Sequence, residues 1–324
     1  MGSAEATDRV RVYARVRPAS LRDGPAVVSA SEDRRTLIFG KGCNPAGGNL
    51  EAEGLEGAGA PSHGATAGGR AAAGRTFEYD RVFGGDTTQA EVFDELGAPL
   101  LADVLAGYDA CALAYGQTGA GKTHSLLATG DKDKDGAGAG LLPRLAAGLF
   151  VGVECDPRHV YSVSVSMCQI YCEQIDDLLK PKNTNMRLVQ THDAEGGGGW
   201  EVKGLSWYEC KSADFLLSVI RNGQRRITYA ETSLNKHSSR AHAVIQLRVT
   251  RRRRMAAKQG KNLQASLERQ DSAKRAVRAT RGRLTVVDLA GSERVKRSLA
   301  EGARMREAQN INTSLFACLP SARW

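Results

Sequence analysis

The chain has 324 residues, 41% hydrophobic and 25% charged, which suits one large α/β unit with a sizeable core. No run approaches the ~18–20 consecutive apolar residues of a membrane span, and the N-terminal MGSAEATDRV lacks the apolar stretch of a secretion signal. A membrane protein and a secreted one are therefore not expected. The net charge of +9 is concentrated: residues 251–283 hold twelve Lys/Arg against two acidic residues, leaving the rest near neutral. The seven cysteines form no C-x-x-C pair, so reduced, packed thiols are expected rather than a disulfide or a metal site.

In chain order, Val10–Pro18 (VRVYARVRP) contains a first strand. Residues 40–75 are dominated by Gly and Ala and are predicted to be a disordered insertion before Phe77–Gly84 (FEYDRVFG). Thr88 to Glu91 forms a capping-box pattern ahead of a helix to about Leu105, with Pro99 a kink point. Asp109–Tyr115 (DACALAY) is a short buried-strand pattern. Asp131–Gly140 reads as a flexible excursion, and Val163–Leu179 as a strand running into a helix that carries Cys168 and Cys172. Gly196–Gly199 marks a hairpin tip, and Ser212 caps a helix to about Gln224. Ala243–Thr250 and Leu284–Asp288 are strand-like runs on either side of a basic loop insertion, residues 251–283. This alternation predicts an α/β fold of three layers, with a central mixed, mostly parallel β-sheet and helices on both faces. Ligand then belongs outside the carboxyl ends of the strands.

The segment after DACALAY is Gly116–Thr123, GQTGAGKT, which fits the phosphate-loop pattern G-x-x-x-x-G-K-[ST]. Gly116, Gly119 and Gly121 allow a tight loop whose backbone N–H groups, shared with Gln117, Thr118 and Ala120, turn onto phosphate oxygens. Lys122 brings positive charge to the β- and γ-phosphates, and Thr123 offers a hydroxyl to Mg²⁺. Hydrolysis needs further groups to hold the metal, position a water and sense the γ-phosphate. Asn235–His242 (NKHSSRAH) supplies paired hydroxyls at Ser238 and Ser239, and Arg240. Asp288–Glu293 (DLAGSE) supplies a carboxylate for the metal at Asp288, the N–H of Gly291 for the γ-phosphate, and Glu293 as an opposite charge for Arg240. Taken alone, DLAGSE is equally a strand followed by a turn.

With VRVYARVRP, FEYDRVFG, YDACALAYGQTGAGKTH, GLLPR, IYCEQIDDLL, DLAGSERVKRSLAEG and Glu307–Leu315 (EAQNINTSL), the chain resembles a kinesin motor domain almost end to end. The sequence has SSRAH where myosins continue SSRFGK, and it lacks the N-K-x-D motif by which GTPases read their base. The resemblance implies a P-loop NTPase fold, ATP and Mg²⁺ as cofactors, and a microtubule-based motor ATPase in the cytoplasm, on the cytoskeleton. It implies a metal site of Thr123, Ser239 and Asp288, and catalytic roles for Ser238, Arg240, Gly291 and Glu293. It also places Arg15, Arg17 and Pro18 against the adenine, with His124 beside the base. From the residues alone, Arg15 and Arg17 read as solvent-facing strand positions.

Tubulin is the partner the resemblance implies, and Arg294, Lys296, Arg297, Arg304 and Arg306 give the region after DLAGSE a charge that suits an acidic surface. Neither a membrane nor nucleic acid is an expected partner. The basic insertion is read first as a solvated loop, next as an electrostatic tether to an acidic polymer, and last as a nuclear-targeting or nucleic-acid patch. Family members continue past INxSL into GNVI and further elements, whereas this chain reads FACLPSARW. The expectation is thus a motor domain over residues 8–319 that is incomplete at its C-terminal end. The alternative is a non-motile microtubule-binding or regulatory module, or an inactive fragment. Oligomeric state, direction and cargo are not written in these residues.

Overall fold

The computed structural model describes residues 10–18, 28–39, 75–129, 136–192, 198–234, 241–254 and 279–292. The chain divides into two units, Met1–Thr87 and Thr88–Trp324. The predicted insertion at 40–75 lies outside the described residues apart from Arg75, as do residues 255–278 and everything after Ser292.

In the first unit, β1 (Tyr13–Arg15) and β5 (Arg81–Phe83) pair in parallel. Between them in sequence, β2 (Val28–Ala30), β3 (Thr36–Phe39) and β4 (Arg75–Glu78) form an antiparallel meander. Val82 and Phe83 are buried, and Tyr13 stacks on Phe83 at 6.0 Å.

The second unit opens with α1 (Gln89–Val92), where Thr88 and Glu91 make the predicted reciprocal capping box, an arrangement worth about 1 kcal/mol. A single π-helical turn, Phe93–Gly97, leads into α2 (Ala98–Ala106). The wide turn falls just before Pro99, whose missing N–H removes a regular helical bond, so the predicted kink is a change of helical pitch. Gly107, left-handed at φ 103°, ends the helix. β6 (Ala110–Ala114), α3 (Lys122–Leu127) and α4 (Leu141–Glu154) follow. Then come β7 (His159–Tyr171), β8 (Gln174–Asp177), β9 (Leu188–His192), β10 (Gly198–Val202) and β11 (Tyr208–Cys210). The order closes with α5 (Ala213–Leu234), β12 (His242–Arg253) and β13 (Thr280–Asp288).

The main sheet runs β11-β7-β12-β13-β6, with β8 also on β7. It is mixed, as predicted, but the expectation of mostly parallel pairing is corrected. Among the described residues of this sheet only β13 and β6 pair in parallel, and the other neighbours are antiparallel. The physical reason lies in the connections. The helix-containing crossovers from β6 to β7 and from β11 to β12 do join strands of like direction, as such crossovers must. Those strands are not neighbours, because β13 and β12 lie between β6 and β7, and β7 lies between β11 and β12.

Ile245 pairs with Met167 on one side and Val286 on the other, and all three side chains are inaccessible to solvent. This is the helix-facing side of the sheet. There α5 lies on β7 and β11, α2 on β13, and α3 on β6 and β13, with α4 touching all three helices. Gly148 and Gly152 of α4, one turn apart, make room for Leu101 and Leu105 of α2. The described helices therefore cover one face. The helix expected after Glu301 lies outside the described residues. The opposite face carries Glu201, which bridges Arg248 at 3.3 Å and Arg283 at 3.0 Å, direct neighbours in register. Arg248 also stacks over Trp207 at 4.0 Å. These contacts hold β10 and its neighbours to the sheet.

Three local readings change. Val163–Leu179 is a β-hairpin and a buried turn, not a strand entering a helix. Cys172 and Glu173 form its two-residue turn, with φ 47° and 63°. The period-two pattern of YSVSVSMC simply continues around a turn that lacks the usual Asn-Gly signal. Asp177 closes this segment from a buried position, accepting bonds from the backbone N–H groups of Leu179, Lys180 and Ser206. α5 reaches Leu234 rather than Gln224, and Ser212 caps it by accepting from the Phe215 N–H at 3.2 Å. The basic insertion is narrower than 251–283, since Arg251–Arg253 extend β12 and Thr280–Arg283 begin β13. Arginine is tolerated there because its aliphatic stem covers the sheet while its charge reaches water. Of the cysteines in the described residues, Cys168 and Cys210 are packed in the interior while Cys111 and Cys155 are exposed, and burial pushes the Cys168 thiol up to about 12.

Candidate nucleotide site

The site is assembled by the parallel pairing of β6 and β13 in the main sheet. Ala114 of β6 and Asp288 of β13 are partners in register, so both strands end side by side. β6 delivers the phosphate loop and β13 delivers the carboxylate. The loop's path depends on glycine: φ is 153° at Gly116, 79° at Gly119 and 95° at Gly121. A Cβ at Gly119 or Gly121 would meet nothing within 4 Å, so glycine is required there by backbone conformation and not by crowding. Ala120 donates to the Gln117 carbonyl at 3.1 Å, which tightens the turn. Lys122 begins α3 and arcs back over the loop. Its Nζ donates to the carbonyls of Gly116 at 2.8 Å and Gln117 at 3.1 Å.

Thr123 Oγ1 donates to Asp288 Oδ2 at 2.5 Å. Asp288 is 9% exposed, and burial raises its carboxyl above the usual range, opposed by the Thr123 bond and the Lys122 charge. Its Oδ1 is buried and has no hydrogen-bond partner among the described residues. A hydroxyl and a hard carboxylate oxygen, one of them unsatisfied, are the donors that Mg²⁺ prefers. The residues present therefore fit the metal that the sequence implies.

The segment after β13 is held on three sides. Leu289 N–H bonds the Ala114 carbonyl at 3.3 Å, and Ser292 N–H bonds the Gly116 carbonyl at 3.2 Å. Between them, Ala290 N–H donates to Nδ1 of His242 at 3.0 Å. His242 is 3% exposed, and burial together with the nearby Lys122 charge lowers its pKa. His242 is the last residue of NKHSSRAH, and its position in that motif does not by itself reveal a role. Its only sequence signal is that it begins a strongly alternating strand. Gln89 is a second such residue. Buried at the start of α1, its Nε2 donates to the His124 carbonyl at 2.8 Å and approaches His124 Nδ1 at 3.3 Å.

Of the other sequence-predicted residues, Gly291 is buried and follows Ala290 directly. Thr118 is exposed in the loop, and His124 is exposed in the first turn of α3. Arg15 ends β1 half-buried, with Nη2 donating to the Thr87 carbonyl at 3.5 Å, and burial lowers its pKa. Arg17 and Pro18 are exposed in the same N-terminal unit. Ser238, Ser239, Arg240 and Glu293 lie outside the described residues. Their described neighbours do converge, because Ala243 pairs with Asp288 and His242 bonds Ala290.

Residues 48–319 match the family model of the kinesin motor domain. The kinesin heavy chain of Botryotinia fuckeliana is 36% identical over 243 residues, which is 75% of this chain and 25% of that protein. Kinesin-like protein KIN-5A of Arabidopsis thaliana is 34% identical over 250 residues, 75% of this chain and 22% of that protein. The chain thus spans about a quarter of the length of the curated relatives it matches. Among solved structures, that of a fast kinesin superposes with a TM-score of 0.69 at 28% identity, covering 94% of this chain and 72% of that one. The fold is the P-loop NTPase fold of that neighbour, with a mixed central sheet. No helix among the described residues is long and apolar enough to cross a membrane. On the family match over most of its length and on the geometry at Thr123 and Asp288, the chain belongs to the kinesin motor-domain family.

Proposed function

We propose that this chain is an ATP-hydrolysing head that acts on microtubules, within the cytoskeleton. The observation that carries the reading is the Thr123–Asp288 contact beneath a complete phosphate loop, with one buried carboxylate oxygen still unsatisfied. Thr123 and Ser239 would hold Mg²⁺ directly, and Asp288 through water. Bound there, the ion spreads the negative charge of the β- and γ-phosphates. The glycine-rich loop orients the phosphates through its N–H groups, and Lys122 leaves its carbonyl partners for them. Ser238 and the Arg240–Glu293 pair orient the attacking water in line with the leaving oxygen and take its proton. Gly291 offers its N–H to the γ-phosphate. Arg15, Arg17, Pro18 and His124 would serve the base, an assignment that rests on the family resemblance alone.

The test has two parts. ATP turnover by the chain should be stimulated by microtubules, and absence of stimulation would remove the motor reading. Glu293→Ala should leave ATP binding intact while slowing single-turnover hydrolysis by roughly 10²-fold or more. Unchanged hydrolysis would remove Glu293 from the mechanism.

A further inference from the structure

We propose that His242 is a positioning residue for γ-phosphate sensing, its ring acting as a fixed acceptor that sets the Ala290–Gly291 peptide. The proposal rests on the nucleotide-site reading above. Between Leu289 and Ser292, the N–H groups of Leu289, Ala290 and Ser292 are bonded inward, to Ala114, His242 and Gly116. Gly291 N–H alone among these four has no bond within the described residues. Two of the three anchors are backbone carbonyls of β6 and the phosphate loop. The third is the side chain of a residue from the other hydrolysis motif, and it grips the amide directly before Gly291.

The chemistry of the contact is specific. Ala290 N–H is a donor, so Nδ1 of His242 must carry no proton, and the proton of the neutral ring sits on Nε2. Ala290 is 2% exposed, so its N–H cannot turn to water in place of the ring. Removal of the acceptor orphans that amide, and the cheapest relief is rotation of the peptide that also carries Gly291. His242 begins β12 and stands two residues after Arg240 in the sequence. A single ring therefore ties the segment bearing the water-positioning residues to the segment bearing the γ-phosphate donor.

Three variants separate this role from simple core packing. His242→Asn places an amide oxygen near the position of Nδ1. His242→Leu keeps comparable bulk without an acceptor. His242→Ser serves in its place if the leucine variant does not fold. Affinities for fluorescent ADP and for a non-hydrolysable ATP analogue are measured with single-turnover hydrolysis and thermal melting. In the leucine or serine variant, ADP affinity should stay within about twofold, while the preference for the ATP analogue over ADP and the hydrolysis rate each fall about tenfold, as loss of one positioned hydrogen bond implies. Asparagine should restore most of both. Equal weakening of ADP and ATP, or an asparagine variant no better than leucine, assigns His242 to packing and overturns the proposal. Absence of nucleotide binding in the parent protein overturns the nucleotide-site reading itself, a separate result.

Discussion

Thr123 and Asp288 meet in a 2.5 Å hydrogen bond although 165 residues separate them. The contact follows from the parallel register of β6 and β13, which sets Ala114 beside Asp288 and carries the phosphate loop over the carboxylate. The loop thus brings the hydroxyl and the sheet brings the acid.

Asp288→Asn is expected to raise the thermal midpoint of the nucleotide-free protein at neutral pH and to weaken Mg²⁺-dependent ATP binding at least about tenfold. The sign follows from linkage. Burial raises the folded pKa above the ordinary 3.8, so the folded state binds more protons than the unfolded one between these two values. Stability from this group is full at acid pH and falls as pH rises through the folded pKa, which leaves a penalty at neutral pH that asparagine relieves. Melts at pH 5 and pH 7, with Mg²⁺ titrations of ATP affinity, check it. A variant less stable than the parent at pH 7 contradicts it.

Lys122→Ala should reduce ATP affinity by about 10²-fold, because the phosphates lose the loop's cation. Thermal stability should change little, since Lys122 donates here to two loop carbonyls that water can satisfy in its place. Titration with a fluorescent ATP analogue measures the first effect, and undiminished affinity would sink the site assignment.

Gly282→Ala tests the packing of α2 on β13. A Cβ there would run into the carbonyl of Val104 and come within 3.0 Å of the Tyr108 carbonyl. Both are backbone atoms that no rotamer change can move aside. A loss of about 1–3 kcal/mol is expected. In a domain of this size that lowers the thermal midpoint by roughly 2–4 °C per kcal/mol. A melting curve unchanged by the substitution would show that α2 does not lie against this strand.

Replacing residues 255–278 by a short turn should leave basal ATP turnover unchanged. Arg251 pairs with Thr280 at one end of the β12–β13 ladder and Ala243 with Asp288 at the other, so the connection leaves the sheet far from the phosphates. Microtubule co-sedimentation should weaken at low salt and much less at ~0.15 M, where the Debye length is about 8 Å. If affinity and its salt slope both match the parent, the segment is a solvated loop.

The sequence by itself determined the features whose physics is local. GQTGAGKT specifies its loop through three glycines in left-handed conformations and a lysine that starts a helix. Thr88 and Glu91 specify a cap, and the period-two runs ending at Thr250 and Asp288 specify strands. Only the tertiary structure decided what depends on which strand lies beside which. Strand order turned an expected mostly parallel sheet into a largely antiparallel one. The turn at Cys172–Glu173 carries no glycine, so pairing along β7 had to reveal it. His242 and Gln89 showed no function in sequence because the groups they hold, Ala290 and His124, come from distant segments. A hydrogen bond between such groups is set by the register of the sheet and the packing of its helices, and neither is encoded within a few residues of the side chain that makes it.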